Sequence, residues 1–305
     1  MRIHTKTMLV GLAVLSVLAA ACGSDSATSS TTEGTAADAT DPANEVPQRV
    51  VSLSPTHTEI MFAIGAGEAL VAVDEFSNYP AEALELPNDL SGYEPNVEAI
   101  AGFEPDLVII GGDFTGLGAQ LEALGIEAWD GPAAATLSDT YAQIEQLGAI
   151  TGHVGEAAEL VLAMQTDMAD IVATTPVPGE PLSFYHELDP TLFSIDSTTF
   201  LGEIYSMVGL VNVADQADGE SFGYPQLNAE FLVSANPDLI FLADTKCCGE
   251  TAESVAARDG WSDLAAVQNG NVVEMDDDIA SRWGPRIVDY LEAVAVAVEQ
   301  VPATS

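Results

Sequence analysis

Positive charge is the scarcest feature of this chain. Seven Lys and Arg stand against 48 Asp and Glu in 305 residues, a formal charge of −41. Arg2 and Lys6 flank the N-terminus, so the body of the chain keeps only Arg49, Lys246, Arg258, Arg282 and Arg286. Five scattered bases cannot assemble a basic patch, which excludes nucleic-acid binding or adhesion to an anionic lipid surface by counterion release. Histidine is rarer still. His57, His153 and His186 lack the paired spacing of a zinc site, although a zinc receptor built from these three stays open as a rival reading. Phosphate-binding glycine loops are missing too: no G-x-x-x-x-G-K-[ST] occurs, and no G-x-G-x-x-G follows a strand pattern.

Three cysteines complete the shortages. Cys22 ends an apolar run from Met8 to about Ala21 that is too short and too close to the N-terminus for an ordinary membrane span, and reads as a secretory signal over residues 1–21. Its end, Leu18-Ala-Ala-Ala-Cys22-Gly, resembles a bacterial lipoprotein signal, which implies lipidation at Cys22. Residues 22–46 are rich in Ser, Thr, Ala, Gly and Asp and read as a disordered spacer. Cys247 and Cys248 are adjacent in an exported chain. They form either a vicinal disulfide or two free thiols.

What is plentiful is alternation of strand and helix patterns, and one phrase is written twice. NVEAIAGFEPDLVII at 96–110 returns as NAEFLVSANPDLIFL at 228–242, an ungapped offset of 132. Each copy opens with an Asn helix cap, carries Glu in the first turn (Glu98, Glu230), stops before Pro and continues into a buried strand. A βαβ pattern precedes each copy, so the chain is α/β, with two doubly wound, Rossmann-like lobes at 47–136 and 176–302. Between them, 137–175 reads as connecting helices broken near Gly148 and Thr151-Gly152. The latter segment carries an apolar stripe through Val161, Met164 and Met168, so one long rigid helix joins the lobes.

Gly219-Glu-Ser221-Phe-Gly223 matches a nucleophile elbow, but neither a strand pattern before it nor a histidine after it supports a hydrolase. No catalytic residue is expected. Aromatic residues instead gather mostly in loops that follow strands: Phe76, Tyr79, Tyr93, Phe114, Tyr185 toward a strand's end, Phe222, Tyr224 and Trp283. Such loops line ligand clefts in open α/β sheets.

In order and spacing, Arg49-Val-Val-Ser-Leu-Ser-Pro-Thr-His-Thr-Glu-Ile, Asn78-Tyr-Pro, Asn96-Val-Glu-Ala-Ile, Glu104-Pro-Asp-Leu-Val-Ile, Leu124-Gly-Ile and Gly284-Pro-Arg-Ile resemble ABC-transporter substrate-binding proteins for cobalamin, ferric siderophores and haem. The resemblance covers roughly residues 47–300. It implies a monomeric, lipid-anchored, extracytoplasmic receptor of periplasmic-binding-protein form, which captures a metal chelate between two lobes and delivers it to an ABC permease dimer. It implies permease docking through Glu98 and Glu230, and a ligand lining of Pro55, Phe76, Tyr93, His186, Tyr224 and Arg282. No resident cofactor or metal is expected, the cobalt or iron arriving as cargo. Scarcity of bases favours a corrinoid or a near-neutral hydroxamate chelate over a highly anionic catecholate.

Overall fold

The apolar runs of the sequence become two four-stranded parallel sheets. The structure, a computed structural model, describes residues 46–217 and 222–301; Cys22, the signal and spacer segments and Ser221 of the elbow-like motif lie outside them. The first lobe runs β1 (Val50–Leu53), α1 (Pro55–Ala63), β2 (Leu70–Val73), α2 (Val97–Ala101), β3 (Leu107–Ile110), α3 (Leu117–Glu122) and β4 (Glu127–Asp130). Helices α4 (Leu137–Ile150) and α5 (Val154–Thr174) follow. The second lobe runs β5 (Ser183–Glu187), α6 (Phe200–Met207), β6 (Val211–Asn212), α7 (Ala229–Ala235), β7 (Leu239–Leu242), α8 (Thr245–Cys248), α9 (Ala252–Ala256), α10 (Ala265–Gln268), β8 (Val272–Glu274), α11 (Asp277–Ala280) and α12 (Ile287–Gln300).

Sheet orders are β2-β1-β3-β4 and β6-β5-β7-β8, the same topology twice. The repeated phrase therefore occupies equivalent places, α2–β3 in one lobe and α7–β7 in the other. Asn96 caps α2 by accepting from the backbone of Glu98 and Ala99, and Asn228 caps α7 by accepting from that of Phe231.

Strands buried on both faces read as continuous apolar runs because side chains alternate between two cores. Val51, Leu53, Val108 and Ile110 face an outer core with Ile100, Leu117 and Leu121. Tyr185, Ile240 and Leu242 do the same in the second lobe, against Trp261 and Leu264. The opposite faces meet in one cluster: Val50, Leu107 and Ile109 from one sheet and Phe184, Leu239 and Phe241 from the other join Val161, Met164 and Met168 of α5 and Tyr290, Leu291 and Val294 of α12. Each such side chain contributes about 1.5–3 kcal/mol by leaving water. Pulling the lobes apart would expose part of that cluster, so they are bound by a shared core rather than by a tether.

The connector differs in detail from its sequence reading. The break falls at Thr151–His153, whereas Gly148 stays inside α4. A Cβ at Gly148 would stand 2.4 Å from the Ala157 Cβ, so this glycine permits close packing of α4 on α5. The 21-residue α5 is the single long helix, and α4 packs on it beside α1.

Met164→Ala should lower unfolding free energy by about 2–5 kcal/mol while keeping one transition. Urea melts followed by fluorescence and by far-ultraviolet circular dichroism check this; two separated transitions would show that the lobes do not share a core.

Candidate functional site

In open parallel sheets, ligands settle beyond the carboxyl ends of strands where successive connections diverge. Here those points lie beyond β1 and β3 in one lobe and beyond β5 and β7 in the other. A cavity of about 700 Å³ occupies that place, walled by Leu188 after β5, Ala243 and Cys247 after β7, Tyr224, and Phe76 and Ala134 of the first lobe. A smaller cavity of about 210 Å³ adjoins it, lined by Pro55 after β1, Asp74 after β2, Gly111 after β3, and Tyr93. Phe76, Arg282 and Trp283 face both.

Below the cavities the lobes are tied by a buried ionic seam. Glu59 of α1 is 3% exposed and accepts from Arg282 Nη1 at 2.7 Å and Arg286 Nε at 2.9 Å. Arg282 also donates to Asn78 Oδ1 and the Phe76 carbonyl, both at 2.9 Å, and to Asp278 Oδ1 at 3.2 Å. Arg286 lies over the Tyr79 ring, 4.2 Å from its centroid. Two cations of the second lobe thus converge on one carboxylate of the first.

A neutral relay runs alongside. Trp283 Nε1 can only donate, and it reaches Gln143 Oε1 at 2.9 Å. That oxygen also accepts from His57 Nε2 at 2.9 Å, leaving His57 Nδ1 to accept from Ser54 Oγ at 2.7 Å. Burial lowers His57 to about 4, so the ring is neutral at physiological pH.

The second-lobe wall is pinned by three consecutive acids. Lys246 Nζ donates to Asp276 Oδ1 at 2.6 Å and Asp278 Oδ2 at 2.8 Å. The Asp277 carboxylate accepts the backbone N–H groups of Thr245, Lys246 and Cys247. Cys247 and Cys248 close the short helix α8, and Cys247 forms part of the cavity wall.

Of the six ligand-lining positions expected, five reach a cavity. Pro55 starts α1, Phe76 and Tyr93 meet edge to face with centroids 5.9 Å apart, and Tyr224 stands across from them. Arg282 is there too, but its guanidinium is held by the seam rather than offered to a ligand. His186 does not reach. It is fully buried in β5 with Nδ1 2.9 Å from Tyr205 Oη, and burial lowers it to about 3. Residues 184, 186 and 188 share a strand face, and the rim falls at Leu188, one step beyond the expected residue. His57, His153 and His186 stay apart, and among the described residues no three His, Cys, Asp or Glu converge on a metal position.

Glu98 and Glu230 are exposed in the first turns of α2 and α7. A helix feeding a parallel strand runs antiparallel to it, so both first turns lie toward the carboxyl edges where the cavities open. Sequence reasoning gave no role to Glu59, Asp74, Gln143 or Asp276–Asp278. A usable signal existed for Glu59: an acid in the apolar run Glu59-Ile-Met-Phe-Ala needs a base, and few are present.

The profile of the periplasmic binding protein family matches residues 50–279. The chain belongs to that family. It is 32% identical over 260 residues to the uncharacterized ABC transporter substrate-binding lipoprotein YvrC of Bacillus subtilis, covering 83% of this chain and 80% of that one. Two solved structures share the fold. The periplasmic vitamin B12 binding protein BtuF of Vibrio cholerae superposes with a TM-score of 0.66 at 28% identity, covering 83% of this chain and 97% of that one. The periplasmic heme binding protein HutB of the same organism gives 0.71 at 25%, covering 84% and 99%.

For this periplasmic binding protein, Glu59→Ala should destabilise by about 3–5 kcal/mol, because it removes the carboxylate shared by two largely buried guanidinium groups. Thermal melts read the effect, and Glu98→Ala, on the surface, serves as a control expected within about 0.5 kcal/mol of wild type. Equal melting of both variants would remove the seam from the account.

Proposed function

We propose that this protein is the extracytoplasmic solute-binding component of an ABC importer, and that its cargo is a near-neutral metal chelate, a corrinoid in the first place. The observation that carries the reading is charge balance in the larger cavity. Both bases in its wall, Lys246 and Arg282, are already bonded to carboxylates, with Asp277 and Asp278 beside them. A ferric catecholate, or a haem with its propionates, would meet acids there and no unpaired base among the described residues. A corrinoid ringed by uncharged amides pays no such electrostatic penalty, and the aromatic rings of Phe76, Tyr224 and Trp283 suit a large, partly apolar face.

Binding in this scheme is capture without chemistry. The chelate settles between lobes held by a common core, so closure is small, and its free energy comes from aromatic contact and a few hydrogen bonds. Glu98 and Glu230, one at the same place on each lobe, then meet one subunit each of a permease dimer. Their position in the first turn also favours the helix by a few tenths of a kcal/mol, and the two roles are compatible. Lipid at Cys22 holds the receptor at the outer face of the membrane. Among the described residues no helix is long and apolar enough to cross one.

Fluorescence titration against cyanocobalamin, a ferric hydroxamate, a ferric catecholate and haem tests the cargo. Saturable one-to-one quenching by cyanocobalamin or the hydroxamate, with the catecholate and haem at least about 100-fold weaker, is expected; preference for either anionic chelate contradicts the reading. Glu98→Arg combined with Glu230→Arg should abolish uptake and leave affinity within about twofold of wild type, whereas a large loss of affinity would count against docking.

A further inference from the structure

The smaller cavity contains one group that the scheme above leaves without a task. Asp74 follows β2 at the carboxyl edge of the first sheet, is 2% exposed, and forms part of the cavity wall. Its Oδ1 accepts from Ser77 Oγ at 2.6 Å. Behind Ser77 stands a file of buried hydroxyls: Ser77 and Thr58, then Thr58 and Ser52, each pair 2.9 Å apart. That file fixes the carboxyl group in orientation but engages one oxygen.

The other oxygen, Oδ2, is left on the side of Gly92. A Cβ at position 92 would stand 3.2 Å from it and 2.5 Å from the Leu53 carbonyl oxygen, so the glycine keeps that approach clear. The base in the same wall is committed elsewhere, since Arg282 donates to Glu59, Asn78, Phe76 and Asp278. Burial pushes Asp74 up to about 6 against the lowering effect of the Ser77 hydrogen bond, which leaves it mainly ionised at neutral pH. An ionised carboxylate only accepts, and among the described residues Oδ2 is not one of the sealed-off side-chain atoms, so its acceptor capacity is open to the cavity.

We propose that the Asp74 cavity is a side subsite of the cleft that takes one N–H donor, a primary carboxamide or an ammonium, from the rim of the bound chelate. The proposal rests on the solute-binding reading for the identity of the visitor. About 210 Å³ admits a short side chain and excludes the ring system, so the large cavity holds the chelate body and this one reads a substituent. A site that sets an acceptor opposite an N–H group discriminates against analogues that lack it, because the hydrogen bond between them is then lost.

The test uses the full-length protein and Asp74→Asn, which keeps an acceptor for Ser77 and turns a donor toward the cavity. Probes are cyanocobalamin and a derivative with one rim carboxamide hydrolysed to carboxylate, then ferrioxamine B and its N-acetylated form, in which an amide replaces the ammonium. Wild type should bind the donor-bearing member of at least one pair tenfold or more tightly, and Asp74→Asn should erase that preference without changing the circular dichroism spectrum. The pair affected tells carboxamide from ammonium. Equal affinities of wild type and Asp74→Asn for every chelate that binds would overturn the subsite while leaving the receptor reading intact. If no chelate binds, the cargo reading fails, and acetamide and methylammonium become the probes: movement of the Asp74 carboxyl carbon resonance by either supports the subsite, and movement by neither overturns it.

Discussion

A carboxylate buried in one lobe and neutralised only by the other is the constraint on which this molecule depends. Glu59 has no base within its own sheet. Its partners, Arg282 and Arg286, arrive more than 200 positions later on the far side of the cleft. Removing Glu59 takes the shared carboxylate from both guanidinium groups at once, which is worse than never having the set. The seam therefore specifies how the lobes meet, while the shared apolar core supplies the bulk of the adhesion. With Arg282 fixed, Phe76, Asn78 and Asp278 are fixed around it, and the floor of both cavities is set before any ligand arrives.

The same economy of bases shapes recognition. A chain with this much negative charge has few cations to place, and the structure uses Lys246, Arg258, Arg282 and Arg286 to satisfy its own acids. Arg258 shows the pattern away from the cleft, gripping the buried Glu187 with both terminal nitrogens at 2.6 Å. A cleft assembled under that rule offers aromatic faces and acceptors, and its two bases, Lys246 and Arg282, are already paired.

Much of the architecture was legible in the residues. The duplicated phrase predicted two equivalent helix–strand units, and they fall at matching positions in two sheets of identical order. Apolar strands flanked by helix caps predicted parallel sheets with both faces covered. What escaped the sequence was whatever depends on where a strand stops or on contacts distant along the chain. His186 is expected at the cleft only through the resemblance, and the strand that carries it runs on to Glu187 with its side chains buried, so it lies inside the sheet. Gly148 looked like a helix breaker because glycine usually weakens helices, yet its lack of a side chain is what lets α4 lie against α5. The pairing of Glu59 with Arg282 leaves no local pattern, and neither does that of Asp276–Asp278 with Lys246 and the turn of α8, some 30 residues earlier in the chain.

The seam and the common core preform the cleft. Distance measurement by electron–electron double resonance, between one spin label on α3 and one on α9, tests it most directly. One narrow distribution is predicted without ligand, moving by no more than about 3 Å when a bound chelate saturates the protein. A broad distribution in the free protein, or a shift of about 10 Å or more on binding, would show that the lobes are hinged freely and that the seam does not hold them.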